Sequence, residues 1–194
     1  ITNADELRKS LVKEGVIFQS NIDLEVIANL INKYTEGDNV IIGIKKAVEI
    51  LEGSFAFVLI TSTSVIAVRD RFGLRPLVFG THFDDYYVSS ESCALDSLGV
   101  DVERDVAPGE ILVINNEGTK SYYMDNIERR PCIFEYVYTA RADSVIDERS
   151  VYKARFECGR RLAEKIKIDA DMVAGVPDSA VVAARGYAAG SGIP

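Results

Sequence analysis

One stretch concentrates charge around a tight turn: Arg69-Asp70-Arg71-Phe72-Gly73-Leu74-Arg75-Pro76-Leu77. Gly73 suits a positive φ, and Pro76 belongs at the start of a strand. Two readings are open here: a salt-bridged connection between strands, or a connection that projects Arg75 into a cleft. A second stretch, Ser20-Asn21-Ile22-Asp23-Leu24-Glu25, puts a carboxylate at the start of a helix. Asp23 can cap that helix, with Ile22 and Ile27 clasping around it, or grip a substrate ammonium. A third, Val176-Pro177-Asp178-Ser179-Ala180, joins a strand-like run to an Ala-rich helix. The amides at such a helix start favour anions, and Asp178 and Ser179 offer hard oxygens to Mg²⁺.

Other chemistry is scarce. The single histidine, His82, lies in the polar stretch Thr81-His82-Phe83-Asp84-Asp85, which reads as an exposed turn, so a histidine-centred nucleophilic engine is disfavoured. Cys93, Cys132 and Cys158 are odd in number and widely spaced, without a CxxC pair, which argues against a disulfide framework or a self-contained zinc site. In 89–99, a strand end running into a short helix, Ser92 reads as a cap and Cys93 as a small buried residue.

These residues need a scaffold. The 194 residues carry 22 Lys+Arg against 30 Asp+Glu, a net charge of −8, with 47% hydrophobic residues, the balance of a globular protein. An acidic chain has no field to draw in a nucleic-acid backbone. No apolar run approaches the roughly 20 residues of a membrane-spanning helix, and the chain does not open like a signal peptide. A cytoplasmic protein is expected.

Apolar periodicity predicts helices over about 3–14, 23–34 and 40–51, with Asn3 capping the first and Ile44, Ala47, Val48 and Leu51 forming the stripe of the third. Residues 16–19 read as a strand. Residues 55–60 and 65–68 predict a hairpin, and 77–80, 86–89, 111–114 and 120–123 continue an antiparallel sheet system. The near-continuous apolar runs suggest strands covered on both faces, hence stacked sheets with helices outside. After Glu128-Arg129-Arg130-Pro131 the texture becomes α/β: a helix from Ser150 to about Lys165 with Val151, Ala154, Cys158, Leu162 and Ile166 as its stripe, a buried strand over 171–176, and a helix over 180–189. The fold class is α+β.

Taken together, these runs resemble a known family. The 69–77 motif is similar to a hallmark of class II, N-terminal-nucleophile glutamine amidotransferases, and asparagine synthetases carry a related one. Residues 89–99, Asp105-Val106-Ala107-Pro108-Gly109-Glu110 and Pro131-Cys132-Ile133-Phe134-Glu135-Tyr136-Val137-Tyr138-Thr139-Ala140-Arg141 look like glutamine phosphoribosylpyrophosphate amidotransferases, as do 150–161 and 176–186. The resemblance implies a fold in two parts: residues 1–130 as the C-terminal part of an αββα glutaminase domain, and 131–194 as the start of a type I phosphoribosyltransferase domain. It implies release of ammonia from glutamine by an N-terminal Cys and its addition to phosphoribosyl pyrophosphate, the first committed step of purine biosynthesis.

The chain begins with Ile1, so on this resemblance the nucleophile, its oxyanion hole and a substrate-clamping arginine precede it, and the fragment alone is expected to be inactive. Asp23 matches the aspartate that holds the α-ammonium of glutamine. Ser179 matches a position contributing to the Mg²⁺ site, with Ala180 where glycine is common. Cys132 matches a ligand of the [4Fe–4S] cluster in iron–sulfur members. Ala142 replaces a familiar proline. Implied partners are glutamine, phosphoribosyl pyrophosphate, purine nucleotides as feedback inhibitors and further copies of the chain. The competing expectations are another class II enzyme such as asparagine synthetase, disfavoured because 176–179 lacks the Ser-Gly-Gly-x-Asp loop, and a non-catalytic homologue.

Overall fold

A computed structural model describes residues 1–194. Three helices come first: α1 (Ala4–Lys13), α2 (Asp23–Tyr34) and α3 (Val40–Ile50). Asp5 and Glu6 in the first turn of α1 and Lys13 in its last complement the helix dipole. Asn3 does not cap with its side chain. It ties α1 to the end of α3 instead, donating to the Ile50 carbonyl at 2.8 Å and accepting from Glu52 N–H at 3.2 Å. The strand expected over 16–19 does not form, because its backbone donors are already used. Val16 N–H bonds the Leu11 carbonyl, and Gln19 N–H bonds the Glu25 carboxylate.

The middle of the chain builds two antiparallel sheets. β1 (Ala56–Ile60), β2 (Ser64–Arg69), β6 (Glu110–Asn115) and β7 (Gly118–Tyr123) form one, in the order β1-β2-β6-β7. β3 (Val78–His82), β4 (Asp85–Ser89) and β5 (Asp101–Asp105) form the other, in the order β4-β3-β5. Alternation assigns the faces of the first sheet. Ile66, Val68 and Ile111 join Val26, Leu30, Ile44 and Val48 in the core beneath the helices. Ala67, Leu112 and Ile114 face the other way and meet Leu77, Phe79 and Val106 in a core between the sheets. The short helix α4 (Ser92–Leu98) covers the second sheet through Leu95, which packs with Val78 and Val100. Helices, sheet, sheet and helix thus stack in four layers.

Strand β2 is covered on both faces, as its apolar run predicts. β1 is not: it pairs only with β2, and Ile60 is 75% exposed. Polar β5 carries no periodic signal and was not expected. It pairs with β3 through a register shift at Phe79/Gly80, where a Cβ on Gly80 would sit 2.6 Å from the Asp101 carbonyl oxygen.

Residues 131–194 hold a π-helical turn (Glu135–Thr139), the two-residue strands β8 (Val145–Ile146) and β9 (Arg149–Ser150), and helices α5 (Val151–Lys165) and α6 (Ser179–Ser191). Ser150 caps α5 as expected, accepting Lys153 N–H at 3.3 Å. The buried stripe of α5 differs from the expected one: Val151, Arg155, Gly159 and Ala163 are inside, while Cys158 and Leu162 are exposed. α6 crosses here so closely that glycines mark the contact. A Cβ on Gly159 would lie 1.9 Å from the Ala183 carbonyl oxygen, and one on Gly186 equally near that of Phe156. Residues 171–176 form no strand, since no other strand of the chain lies beside them, and Met172 and Val176 are exposed.

Candidate functional site

The 69–77 connection leaves β2 in one sheet and enters β3 in the other, so it is no exposed salt-bridged tip. Arg69 and Asp70 are both 1% exposed. The Arg69 guanidinium donates to the carbonyls of Val106 at 2.7 Å, Arg75 at 2.8 Å and Gly73 at 3.0 Å, and to the Asp147 carboxylate at 3.1 Å. Gly73 has φ +61°, and a Cβ there would press on Pro108 at 2.7 Å. Asp70 accepts from Phe72 N–H at 2.8 Å and Phe55 N–H at 3.3 Å. Arg75 leaves this frame and pairs with the buried Glu135 carboxylate, a hydrogen bond that holds the guanidinium further above its usual pKa.

Asp23 opens α2 but is not its cap. The capping position belongs to Ile22, which is exposed, and the tie to the preceding turn comes from Glu25. Glu25 accepts from Gln19 N–H at 2.7 Å, Ser20 N–H at 2.8 Å and the Ser20 hydroxyl at 2.6 Å; these bonds, led by Gln19, hold its pKa down. Arg8 fixes the same turn through the Ser20 and Ile22 carbonyls. The Asp23 carboxylate is thereby left for an outside donor. Its side chain is 48% exposed.

A large cavity, about 1070 Å³, opens between the π-helical turn, the 140–143 loop and the start of α6. Tyr138, Arg141, Arg155, Asp178 and Ser179 are on its wall. Arg155 is pinned by the Tyr136 carbonyl at 2.6 Å and the Ala140 carbonyl at 2.7 Å, and burial lowers its pKa. Arg141 forks onto Asp143 at 3.0 and 2.7 Å, which lowers the Asp143 pKa. Arg141 and Arg155 share this wall with the carboxylates of Asp143 and Asp178, the Ser179 hydroxyl and the start of α6.

Of the residues named from sequence, Ser179 lines this cavity, whereas Asp23 and Cys132 do not. Cys132 is half-buried, and its carbonyl accepts Glu135 N–H at 3.2 Å. His82 ends β3 with its ring against exposed Phe83. Cys93 is buried, as read. Ser92 is no cap: its hydroxyl accepts Val145 N–H at 2.8 Å, while Glu91 accepts from Arg141 N–H at 2.8 Å and the Ser144 hydroxyl at 2.7 Å. Sequence reasoning missed Glu91, whose partners lie some fifty positions away. It also missed Arg155, although the line Val151, Arg155, Gly159, Ala163 was there to be read at a spacing of four.

Residues 1–97 match the family model of the glutamine amidotransferase domain. The chain belongs to the glutamine amidotransferase family. The chain is 44% identical over 198 residues to the amidophosphoribosyltransferase of Bacillus subtilis (strain 168), with 100% of this chain and 41% of the relative covered. It is 43% identical to the amidophosphoribosyltransferase of Archaeoglobus fulgidus, covering 43% of that protein. The solved glutamine phosphoribosylpyrophosphate amidotransferase of B. subtilis, complexed with ADP and GMP, superposes with a TM-score of 0.94 at 44% identity, over 99% of this chain and 42% of that one. The chain thus spans about two-fifths of the length of the curated relatives it matches.

Proposed function

We propose that this amidotransferase chain is part of an amidophosphoribosyltransferase, which takes ammonia from glutamine and joins it to C1 of phosphoribosyl pyrophosphate, giving 5-phosphoribosylamine for purine synthesis. The observation that carries the reading is the 44% identity over a match that covers the whole chain, from the family domain to the wall of the large cavity. Residues 1–130 belong to the glutaminase domain and 131–194 open the phosphoribosyltransferase domain. In support, the two sheets end at Tyr123, and α5 packs mainly on α6.

In this reading Asp23 holds the α-ammonium of glutamine, a role its half-exposed carboxylate and fixed entry turn support. The large cavity takes phosphoribosyl pyrophosphate. Mg²⁺ fits there, because it keeps waters and substrate phosphates as ligands and asks little of the protein; Asp178 and Ser179 would supply the hard oxygens. Bound Mg²⁺ would neutralise the pyrophosphate leaving group. The cluster does not fit these residues by themselves. It takes four thiolates, and no group of three or more potential ligand side chains gathers anywhere among them, so Cys132 would hold one corner at most.

Purine nucleotides regulate the enzyme, self-association completes it, and the cytoplasm houses it. The B. subtilis neighbour complexed with ADP and GMP supports the first of these. No helix is long and apolar enough to cross a membrane. The test is the full-length protein given glutamine, phosphoribosyl pyrophosphate and Mg²⁺. Stoichiometric glutamate, pyrophosphate and phosphoribosylamine are expected. Glutamate alone, or asparagine formation when aspartate and ATP are supplied, overturns the reading, and complete inertness points to the non-catalytic homologue.

A further inference from the structure

Two arginines grip one short turn from opposite sides. Glu135 opens the π-helical turn, its side chain 6% exposed, with the Arg75 guanidinium as hydrogen-bond partner. From α5, Arg155 holds the carbonyls of Tyr136 and Ala140, while Ala140 N–H closes the turn on the Glu135 carbonyl at 3.0 Å. π-helical turns are rare and gather at functional sites, since the extra residue is kept only where the surroundings fix it. Tyr138, Thr139 and Ala140 form wall of the large cavity; Arg75 does not touch it.

Arg75 belongs instead to the connection between the two sheets, whose other anchors lie outside the cavity wall. Asp70 holds Phe55 N–H, and three residues before Phe55 the Glu52 carbonyl accepts Thr2 N–H at 2.9 Å. We propose that Arg75 is a positioning residue: by holding Glu135 it sets the wall of the large cavity from the amidotransferase side, and couples ligand binding there to the 69–77 connection. The pair suits the task because it is asymmetric. Arg75 is half-exposed and replaceable, whereas Glu135 is buried, and stripping its partner leaves a charge that the turn must move to hydrate.

The inference rests on the proposed reading of the cavity as the phosphoribosyl pyrophosphate site, and its test separates the two. In the full-length enzyme, Arg75→Ala, Glu135→Gln and the double variant are compared by amide hydrogen exchange over 135–140 and by kinetics with ammonia as nitrogen donor. Arg75→Ala is expected to speed exchange at Ala140 and raise KM for phosphoribosyl pyrophosphate about 10-fold, in the range of ordinary site-to-site coupling, with kcat nearly unchanged. Glu135→Gln in the Arg75→Ala background should recover part of both, since it removes the stranded charge. Unchanged exchange overturns the proposal, as does a fall in kcat with KM unchanged or a double variant no better than Arg75→Ala. A wild-type enzyme that makes no phosphoribosylamine sinks the reading of the cavity, while the exchange measurement still decides the role of Arg75.

Discussion

The Arg69 guanidinium meets the Asp147 carboxylate at 3.1 Å across 78 positions of sequence, with side-chain exposures of 1% and 6%. Arg129 approaches the other carboxylate oxygen at 3.4 Å. Breaking a buried pair from one side costs about 3–5 kcal/mol, because the remaining charge stays in a dry site. Asp147→Asn tolerates the left-handed backbone there, φ +48°, and so isolates the charge. Urea unfolding should show a loss of that order, against little change for Glu128→Gln in the exposed pair with Arg130. Equal effects at both sites would count against a structural role for the buried pair.

Gly159→Ala and Gly186→Ala pit helix propensity against contact. Alanine gains about 1 kcal/mol in a helix interior. The new methyl, however, would sit 1.9 Å from a carbonyl oxygen of the facing helix, so α5 and α6 must separate. Overpacking of this kind typically costs about 1–3 kcal/mol and here exceeds the gain. Both variants should melt lower than wild type, and Gly190→Ala, whose Cβ would lie 2.9 Å from the Arg160 oxygen, should lose less. A rise in Tm for either of the first two contradicts the close crossing.

Two buried carboxylates should answer acid in opposite ways. Burial raises the pKa of Asp105, and the nearby Asp147 charge adds to this. Its contribution to stability is therefore present when protonated, and is lost as pH rises through the folded value. Burial also pushes Glu110 upward, but Arg104 at 2.7 and 2.8 Å, the Ser121 hydroxyl and Ala107 N–H outweigh it and leave its pKa lowered. Its contribution is present above the unfolded value and fades as pH falls through the folded one. At neutral pH, Asp105→Asn should stabilise and Glu110→Gln destabilise, with both differences shrinking toward acid. Denaturant titrations at several pH values check this; shifts of the same sign would be the wrong result.

Asp23→Asn, made in the full-length enzyme, tests the glutamine site. Loss of a charge-assisted hydrogen bond is worth about 1.5–3 kcal/mol, roughly a 10- to 100-fold fall in kcat/KM for glutamine. The ammonia-dependent reaction should be spared. Parallel loss of both would mean that Asp23 serves the fold instead.

What the sequence made legible was short-range or periodic. Helices α1 to α3 follow their apolar spacing, and the alternation of Ile66, Ala67 and Val68 assigns two faces to one strand. The misses are relations between distant residues. Arg69 and Asp70 look like surface charges until Asp147 and Phe55 are folded onto them. Strand β5 has no apolar signal, because its residues 101–104 are exposed and it joins β3 through its backbone. The α5 stripe was misread since apolar residues were sought where glycine was the contact. Asp23 and Ser179 were singled out from residue type and family motif, whereas Glu91 and Arg155 act largely on backbone groups that leave no mark on the sequence nearby.

Arg69 cannot complete its shell until residue 147 has been synthesised. At a translation rate of about 5–20 residues per second, the 78-residue gap leaves the nascent sheets waiting roughly 4–15 seconds for their keystone. A cut made at residue 130, where composition changes, would extend that wait indefinitely. The tail of this chain is thus an assembly clamp for its head, and separately expressed halves should need one another to become soluble.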